Sequence, residues 1–274
     1  MSAEGKESFL GKFRVDGKVA LVTGGSRGIG RSIALGLAEA GADVALASRK
    51  LPDLEAVAGE VESLGRKALA VAANVRHLPE IDTLVEKVAS EFGHIDILVN
   101  NAGTNVAFDS VFNLDEKVWD VIMGLNLKAS FFMSQAVGRI MREKGGGSII
   151  NIASEEGMRP GVGRSIYAIS KAGVIMLTQA LAQEWGQYSI RANAIAPGVV
   201  KTRLSTALWS DPVIRGNTEN DTALGRIAEP EEMVGAALFL ASDASSYMTG
   251  QTLTLNGGLF ASVRTLLSTV PPQE

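Results

Sequence analysis

Tyr167 and Lys171 stand four residues apart in Ser165-Ile166-Tyr167-Ala168-Ile169-Ser170-Lys171, where an apolar helical pattern begins. Positions i and i+4 share a helix face, which sets an ammonium beside a phenol. A free tyrosine titrates near ~10, too high for efficient proton exchange at neutral pH. A neighbouring cation stabilises the phenolate and lowers that value, so the pair can serve as acid and base on a carbonyl or alcohol oxygen. Tyr-x-x-x-Lys also arises by chance as an exposed helical pair, so the pair needs company. Ser154 follows the apolar run 148–153, and its hydroxyl should emerge at the carboxyl end of a strand, able to donate to an oxygen on which charge builds. Asn100-Asn101-Ala102-Gly103 closes an earlier run, 95–100, at the same edge. In open α/β sheets that edge is where ligands bind.

A second constellation is Thr23-Gly24-Gly25-Ser26-Arg27-Gly28-Ile29-Gly30, between the first apolar run and a helical pattern. Glycines there let the backbone approach a pyrophosphate, which the helix N-terminus attracts. The spacing is G-x-x-x-G-x-G, and its place at the first strand–helix junction favours binding over a plain turn. About 20 residues on, where an acidic residue would grip a ribose 2′-hydroxyl, the chain reads Ala47-Ser48-Arg49-Lys50. Arg27 and Arg49 can instead fork onto a 2′-phosphate, which predicts NADP(H) as cofactor.

The elements that must position these groups alternate. Residues 19–23, 43–48, 67–73, 95–100, 148–153, 191–195 and 252–255 read as seven buried strands. Helix-period stretches at 31–40, 52–64, 79–92 and 231–241 lie between them. The spacing implies right-handed crossovers and one doubly wound α/β domain with a parallel sheet covered on both faces. Residues 198–226 are polar and loop-like and form the natural lid. Leu204, Leu208 and Trp209 there recur at helical spacing, suited to an apolar wall over substrate or to packing within the lid.

Composition narrows the class. Of 274 residues 46% are hydrophobic and 30 are glycine, which suits one large domain. The net charge is −4 with no basic block, so nucleic acid is not an expected partner. Without cysteine, disulfides and thiolate chemistry are excluded. The first 13 residues lack the apolar run of a signal peptide, and no uncharged apolar stretch approaches 18 residues. A cytoplasmic protein without a membrane span is the expectation. His77 and His94, the only histidines, are read as surface residues away from the crevice, and a catalytic zinc is not expected. Glu155 and Glu156 can repel anionic substrates or hold a polar one, and Arg159 and Arg164 can meet a substrate carboxylate or phosphate, but all four are read first as solvated charges around the tyrosine segment.

Taken in order, Thr23 to Gly30, Asn100 to Gly103, Asn126, Ser154, Tyr167 with Lys171 and Pro197-Gly198 resemble the short-chain dehydrogenase/reductase family. The resemblance covers nearly the whole chain and implies a Rossmann domain over residues 15–258, between an extension at 1–14 and a tail at 259–274. It implies that Tyr167 exchanges the proton with substrate. Lys171 would lower the tyrosine's pKa and hold the nicotinamide ribose, Ser154 would orient the carbonyl, and Asn126 would support a water-linked relay. On the cofactor it places Gly24, Ser26, Arg27, Gly28, Ile29, Gly30, Ser48 and Arg49, then Asn74 and Val75 at the adenine. Asn101, Ala102 and Gly103 follow, with Pro197, Gly198, Val200 and Thr202 at the nicotinamide end. The family's usual Asp-Val is Asn74-Val75 here, and Glu155-Glu156 replaces small residues after the serine. A homotetramer is implied through the helices around 119–142 and 167–185 and the last strand. The expected reaction is reduction of a ketone or aldehyde, or oxidation of a secondary alcohol. Reduction of 3-oxoacyl thioesters or sugar acids is the nearest alternative, then epimerisation or dehydration. A nucleotide-binding sensor without turnover is the alternative of another class, disfavoured because both Tyr167 and Lys171 are present.

Overall fold

The computed structural model describes residues 9–106 and 108–259. Seven strands, β1 (Val19–Thr23), β2 (Asp43–Ser48), β3 (Ala68–Ala72), β4 (Ile97–Asn100), β5 (Gly147–Ile152), β6 (Ile190–Pro197) and β7 (Thr252–Leu255), form one sheet in the order β3-β2-β1-β4-β5-β6-β7. Every pairing is parallel. The seven expected strands are all present, with ends shifted by at most two residues.

Continuous apolar runs form the central strands because the sheet is buried on both sides. Successive side chains point to opposite faces. On one face Ala20, Val22, Val44, Leu46, Val99 and Ile150 meet α1 (Gly28–Glu39), α2 (Leu51–Ser63) and α8 (Val234–Ala241). On the other, Leu21, Ala45, Leu98 and Ile149 meet α3 (Leu78–Phe92), α5 (Ala129–Lys144) and α6 (Ser165–Trp185). Closeness on the first face demands a glycine: a Cβ on Gly36 of α1 would run into Val234 of α8.

Two sequence expectations change. The helix read around 119–142 is α4 (Glu116–Met123) followed by a π turn, Gly124–Lys128, and then α5. The lid is not all loop: a 3-10 turn at Thr206–Leu208 precedes α7 (Pro212–Asn220), capped by Asp211, whose carboxylate accepts from the amides of Val213 and Ile214. The helical stretch Ser165–Tyr188 is long and apolar enough by composition to cross a membrane, although Lys171 and Glu184 interrupt its apolar run, as the sequence reading has it. In the fold it is a core helix, half of it buried against the sheet. The first described residues, Phe9–Phe13, make a 3-10 turn whose Phe13 ring stands 6.3 Å from that of Phe239. Beyond Leu259 the expected tail lies outside the described residues.

Leu46 is fully buried at the centre of the first layer. Leu46→Ala should destabilise the fold by about 2–5 kcal/mol. Chemical denaturation will show it; a loss below about 1 kcal/mol would mean that the β2–α1 layer is not close-packed.

Candidate active site

Because all strands run the same way, their carboxyl ends share one rim, and the chain's winding reverses between β1 and β4. Thr23 and Asn101 close that seam. The Thr23 hydroxyl donates to the Val99 carbonyl and accepts from the amides of Asn101 (3.0 Å) and Ala102 (3.1 Å). The Asn101 carboxamide donates to the carbonyls of Thr23 (3.0 Å) and Gly24 (3.1 Å). The glycine turn is thereby bolted to the end of β4. Gly24 and Gly28 adopt φ of +66° and +54°, and a Cβ on Gly30 would collide with the Asn101 side chain and the Gly24 carbonyl.

Above this seam opens a cleft of about 820 Å³. It gathers Gly24, Ser26, Arg27, Gly28, Ile29, Ser48, Arg49, Asn74, Val75, Asn101, Ala102, Gly103 and Thr202, with Gly30 packed beneath. A nicotinamide dinucleotide fits it. The turn leaves room for a pyrophosphate, and the end of β2 offers Arg49 and Lys50, joined by Arg27. The sequence reading missed other cleft residues: Arg31, Asp53, Arg76, Lys201 and Arg203. Asp53 lies in the first turn of α2, Arg31 is paired with Glu60 and Lys201 with Glu229, so the cationic character rests on the remaining side chains.

The cleft continues, through Ile29, Asn101, Gly103, Thr202 and Leu204, into a chamber of about 140 Å³. Ser154, Tyr167, Lys171, Pro197, Gly198 and Val200 line it. Ser154 ends the run after β5, and its side chain hydrogen-bonds the Tyr167 phenol. Lys171, 5% exposed, donates to the Ile152 carbonyl at 2.7 Å, and its Nζ lies 5.8 Å from the Tyr167 ring centre. Asn126 sits in the π turn, which turns its side chain inward. Its Oδ1 accepts from the Thr104 amide (2.8 Å), and its Nδ2 donates to the Thr104 carbonyl (3.0 Å) and the Ser170 hydroxyl (2.9 Å). Ser170 in turn donates to the Tyr167 carbonyl. Asn126 therefore ties the loop after β4 to α6.

The electrostatics correct the expected division of labour. Burial pushes the Tyr167 phenol up to about 12, against the lowering effect of its bond with Ser154. Burial also pulls the Lys171 ammonium down to about 8. The expected depression of the tyrosine by its lysine is absent in this arrangement, because Lys171 is itself desolvated and directed at a backbone carbonyl.

Further corrections concern the neighbours. Glu156 is buried, paired with Arg164 at 2.8 Å and accepting from the Gly161 amide at 2.6 Å, so neither Glu156 nor Arg164 is a solvated charge. Glu155 lines the chamber, and burial raises its carboxyl to about 7. Arg159 is exposed. His77 stands just before α3, three residues beyond Asn74 at the carboxyl rim, and bonds Glu80; it is exposed but not on the far side. His94 pairs with Asp96 at the opposite edge. Leu204 and Leu208 do line the chamber, but Trp209 lines the larger cleft, its indole N–H donating to the Thr202 carbonyl at 3.1 Å. Trp209→Ala should weaken NADP(H) binding roughly two- to tenfold with little change in substrate KM. Fluorescence titration of cofactor beside substrate kinetics distinguishes this from a wall over the substrate, for which KM alone would rise.

Similar proteins place this geometry. A family model described as enoyl-(acyl carrier protein) reductase matches residues 24–260. The chain is 40% identical over 253 residues to a 2-dehydro-3-deoxy-D-gluconate 5-dehydrogenase of Escherichia coli (strain K12), covering 92% of this chain and 99% of the relative. It is 39% identical over 247 residues to a D-threitol dehydrogenase of Mycolicibacterium smegmatis, covering 90% and 94%. A gluconate 5-dehydrogenase from Burkholderia cenocepacia J2315, solved in complex with NADP and tartrate, superimposes with a TM-score of 0.89 at 37% identity. That match covers 92% of this chain and 98% of the other. With a glycine turn, a serine, a tyrosine and a lysine brought to one rim of such a sheet, this chain belongs to the short-chain dehydrogenase/reductase family and is an oxidoreductase acting between CH–OH and C=O groups.

Proposed function

We propose that the protein interconverts a ketone and a secondary alcohol on a compact, polyhydroxylated molecule, with NADP(H) as cofactor. One observation carries the reading: the Ser154–Tyr167–Lys171 group lines a small chamber that opens directly into the dinucleotide-sized cleft. A chamber of about 140 Å³ suits a few-carbon molecule better than the acyl chain of a 3-oxoacyl thioester. The named activities of the gluconate- and threitol-acting relatives support the same class.

Gly24, Ser26, Gly28, Ile29 and Gly30 would cradle the pyrophosphate, and Arg27 and Arg49, with Ser48, the 2′-phosphate. Asn74 and Val75 would meet the adenine. Asn101, Ala102, Gly103, Pro197, Gly198, Val200 and Thr202 would enclose the nicotinamide half. When bound, the cofactor supplies or accepts the hydride. The chain's own part is the proton. In the reducing direction the Tyr167 hydroxyl donates to the oxygen on which negative charge develops, while Ser154 donates a hydrogen bond to the same oxygen. Lys171 contributes positive charge behind the phenol, and Asn126 is a positioning residue that holds Thr104 and, through Ser170, α6.

A phenol raised to about 12 stays protonated through the neutral range, which makes it an acid rather than a base. The site therefore holds the tyrosine ready to donate a proton, which is the step that reduction requires. The half-exposed apolar residues Trp119 of α4, Phe131 of α5 and Met176 of α6 suit subunit contacts, and a homotetramer working in the cytoplasm is part of the proposal.

Tyr167→Phe should lower kcat for ketone reduction by about 10²–10⁴ with NADPH affinity retained. Full activity in that variant, measured by NADPH consumption on a panel of hydroxyketones, would refute the assignment. Alcohol oxidation needs the phenolate, so its rate should climb with pH across the neutral range while reduction does not. Arg49→Ala should weaken NADPH roughly 10- to 100-fold, the worth of a charged hydrogen bond, and leave NADH nearly unchanged. Equal losses for both cofactors would remove Arg49 from the 2′-phosphate.

A further inference from the structure

Two carboxylates follow Ser154, and the fold treats them oppositely. Glu156 is a strut: both its oxygens are taken, by Arg164 Nη1 and the Gly161 amide, which pins the loop ahead of α6. Gly161 is packed so closely that a Cβ there would strike the Arg164 guanidinium. Arg164 also lines the chamber, but its charge is already matched by Glu156, so it is no ready receptor for a substrate carboxylate.

Glu155 faces the chamber beside Ser154 and Tyr167, and its Oε2 accepts from Asn256 Nδ2 at 3.3 Å. Asn256 follows β7, is itself buried, and lies directly under Gly198, where a Cβ would be 2.8 Å from its Cα. Glu155 is thus held from below by an element other than its own. Asn105, in the loop after β4, lines the same chamber; its Oδ1 is shielded from solvent and has no hydrogen-bond partner among the described residues. A buried acceptor without a donor is unfavourable, and a ligand hydroxyl that reached it would satisfy it.

We propose that Glu155 and Asn105 form an acceptor pair that reads hydroxyl groups flanking the reacting carbon, selecting neutral vicinal diols and hydroxyketones over molecules bearing a carboxylate there. This rests on the reading of the chamber as the substrate site. A carboxylate has no proton to offer either acceptor, and it meets the charge of Glu155 in a place of low dielectric. That repulsion depends on pH. Burial and Glu156 raise the Glu155 carboxyl to about 7, while the Asn256 bond, Arg164 and Arg159 lower it. From α6 the facing groups are Tyr167 and Lys171; the end of β6, Pro197, and the following Gly198 and Val200 bring no titratable side chain. Discrimination against carboxylates should therefore strengthen as pH rises through 7. Lys171, at about 8, loses its charge over an overlapping range but is unchanged in a Glu155 variant, so the variant isolates the carboxylate.

The test is calorimetric binding of threitol and threonate, which differ only by CH₂OH against COO⁻, to the NADPH-loaded protein at about pH 6 and about pH 8. Threitol should bind at least about tenfold tighter than threonate at the higher pH, and the ratio should shrink several-fold at the lower. Glu155→Gln, which keeps an oxygen for Asn256, should move the ratio about tenfold toward threonate and cut its pH dependence to the part that Lys171 contributes, while Glu155→Asp retains the full dependence. Asn105→Ala should weaken threitol and leave the pH dependence in place. An unchanged ratio in Glu155→Gln, or an equal loss of both ligands, overturns the proposal. Turnover with a ketotetrose is scored separately. Selective binding without turnover would sink the hydride-transfer reading alone, and turnover without selectivity would sink the acceptor pair alone.

Discussion

The reversal of winding between β1 and β4 is the constraint from which the site follows. Neighbouring strands there send their chains to opposite faces of the sheet, so no crossover covers the rim between them. The uncovered rim leaves backbone donors and acceptors at the ends of these paired strands, and these must find partners. Thr23 and Asn101 supply them, and in doing so they fix the glycine turn against the loop after β4 to within hydrogen-bond tolerance. The same seam is continued below the surface by a chain of buried amides and hydroxyls. Asn100 donates to Ser134 and Asn151, and Asn151 donates to Thr178 on α6. Such a network is stabilising only when complete, and here it links β4, β5, α5 and α6 under the reactive group.

Burial then sets the chemistry. The phenol, the ammonium and the Glu155 carboxyl each move toward their neutral forms because the chamber withholds water from the charged ones. Lys171 keeps a partner in the Ile152 carbonyl, so its position does not depend on a contact with Tyr167. Geometry and charge are held by different elements. β5 and α6 place Ser154, Tyr167 and Lys171. The π turn and the post-β7 segment place the groups that support them.

Much of this was legible in the sequence. Seven apolar runs bounded by turn residues gave the strands nearly to the residue, since a parallel sheet buried on both faces leaves no polar alternation to blur them. The glycine turn and the Tyr167–Lys171 spacing were legible because each depends on local backbone geometry. Less was legible where a group's environment comes from far along the chain. Glu155 and Arg164 looked like solvated charges. Their burial depends on Asn256, about a hundred residues away, and on a loop folding back over Glu156. Leu204, Leu208 and Trp209 together suited either a wall over substrate or packing within the lid, yet the turn at Thr206–Leu208 sends Leu208 and Trp209 to different cavities.

The sequence by itself determined the α/β class, the strand order along the chain and the residue types that meet at the rim. Those depend on short-range periodicity and on which backbone shapes each residue tolerates. Only the tertiary structure decided which charges are desolvated, which carboxylate is already paired and which faces the substrate chamber. Solvation and pairing are properties of a position in space, and side chains adjacent in sequence, such as Glu155 and Glu156, can end in opposite electrostatic surroundings.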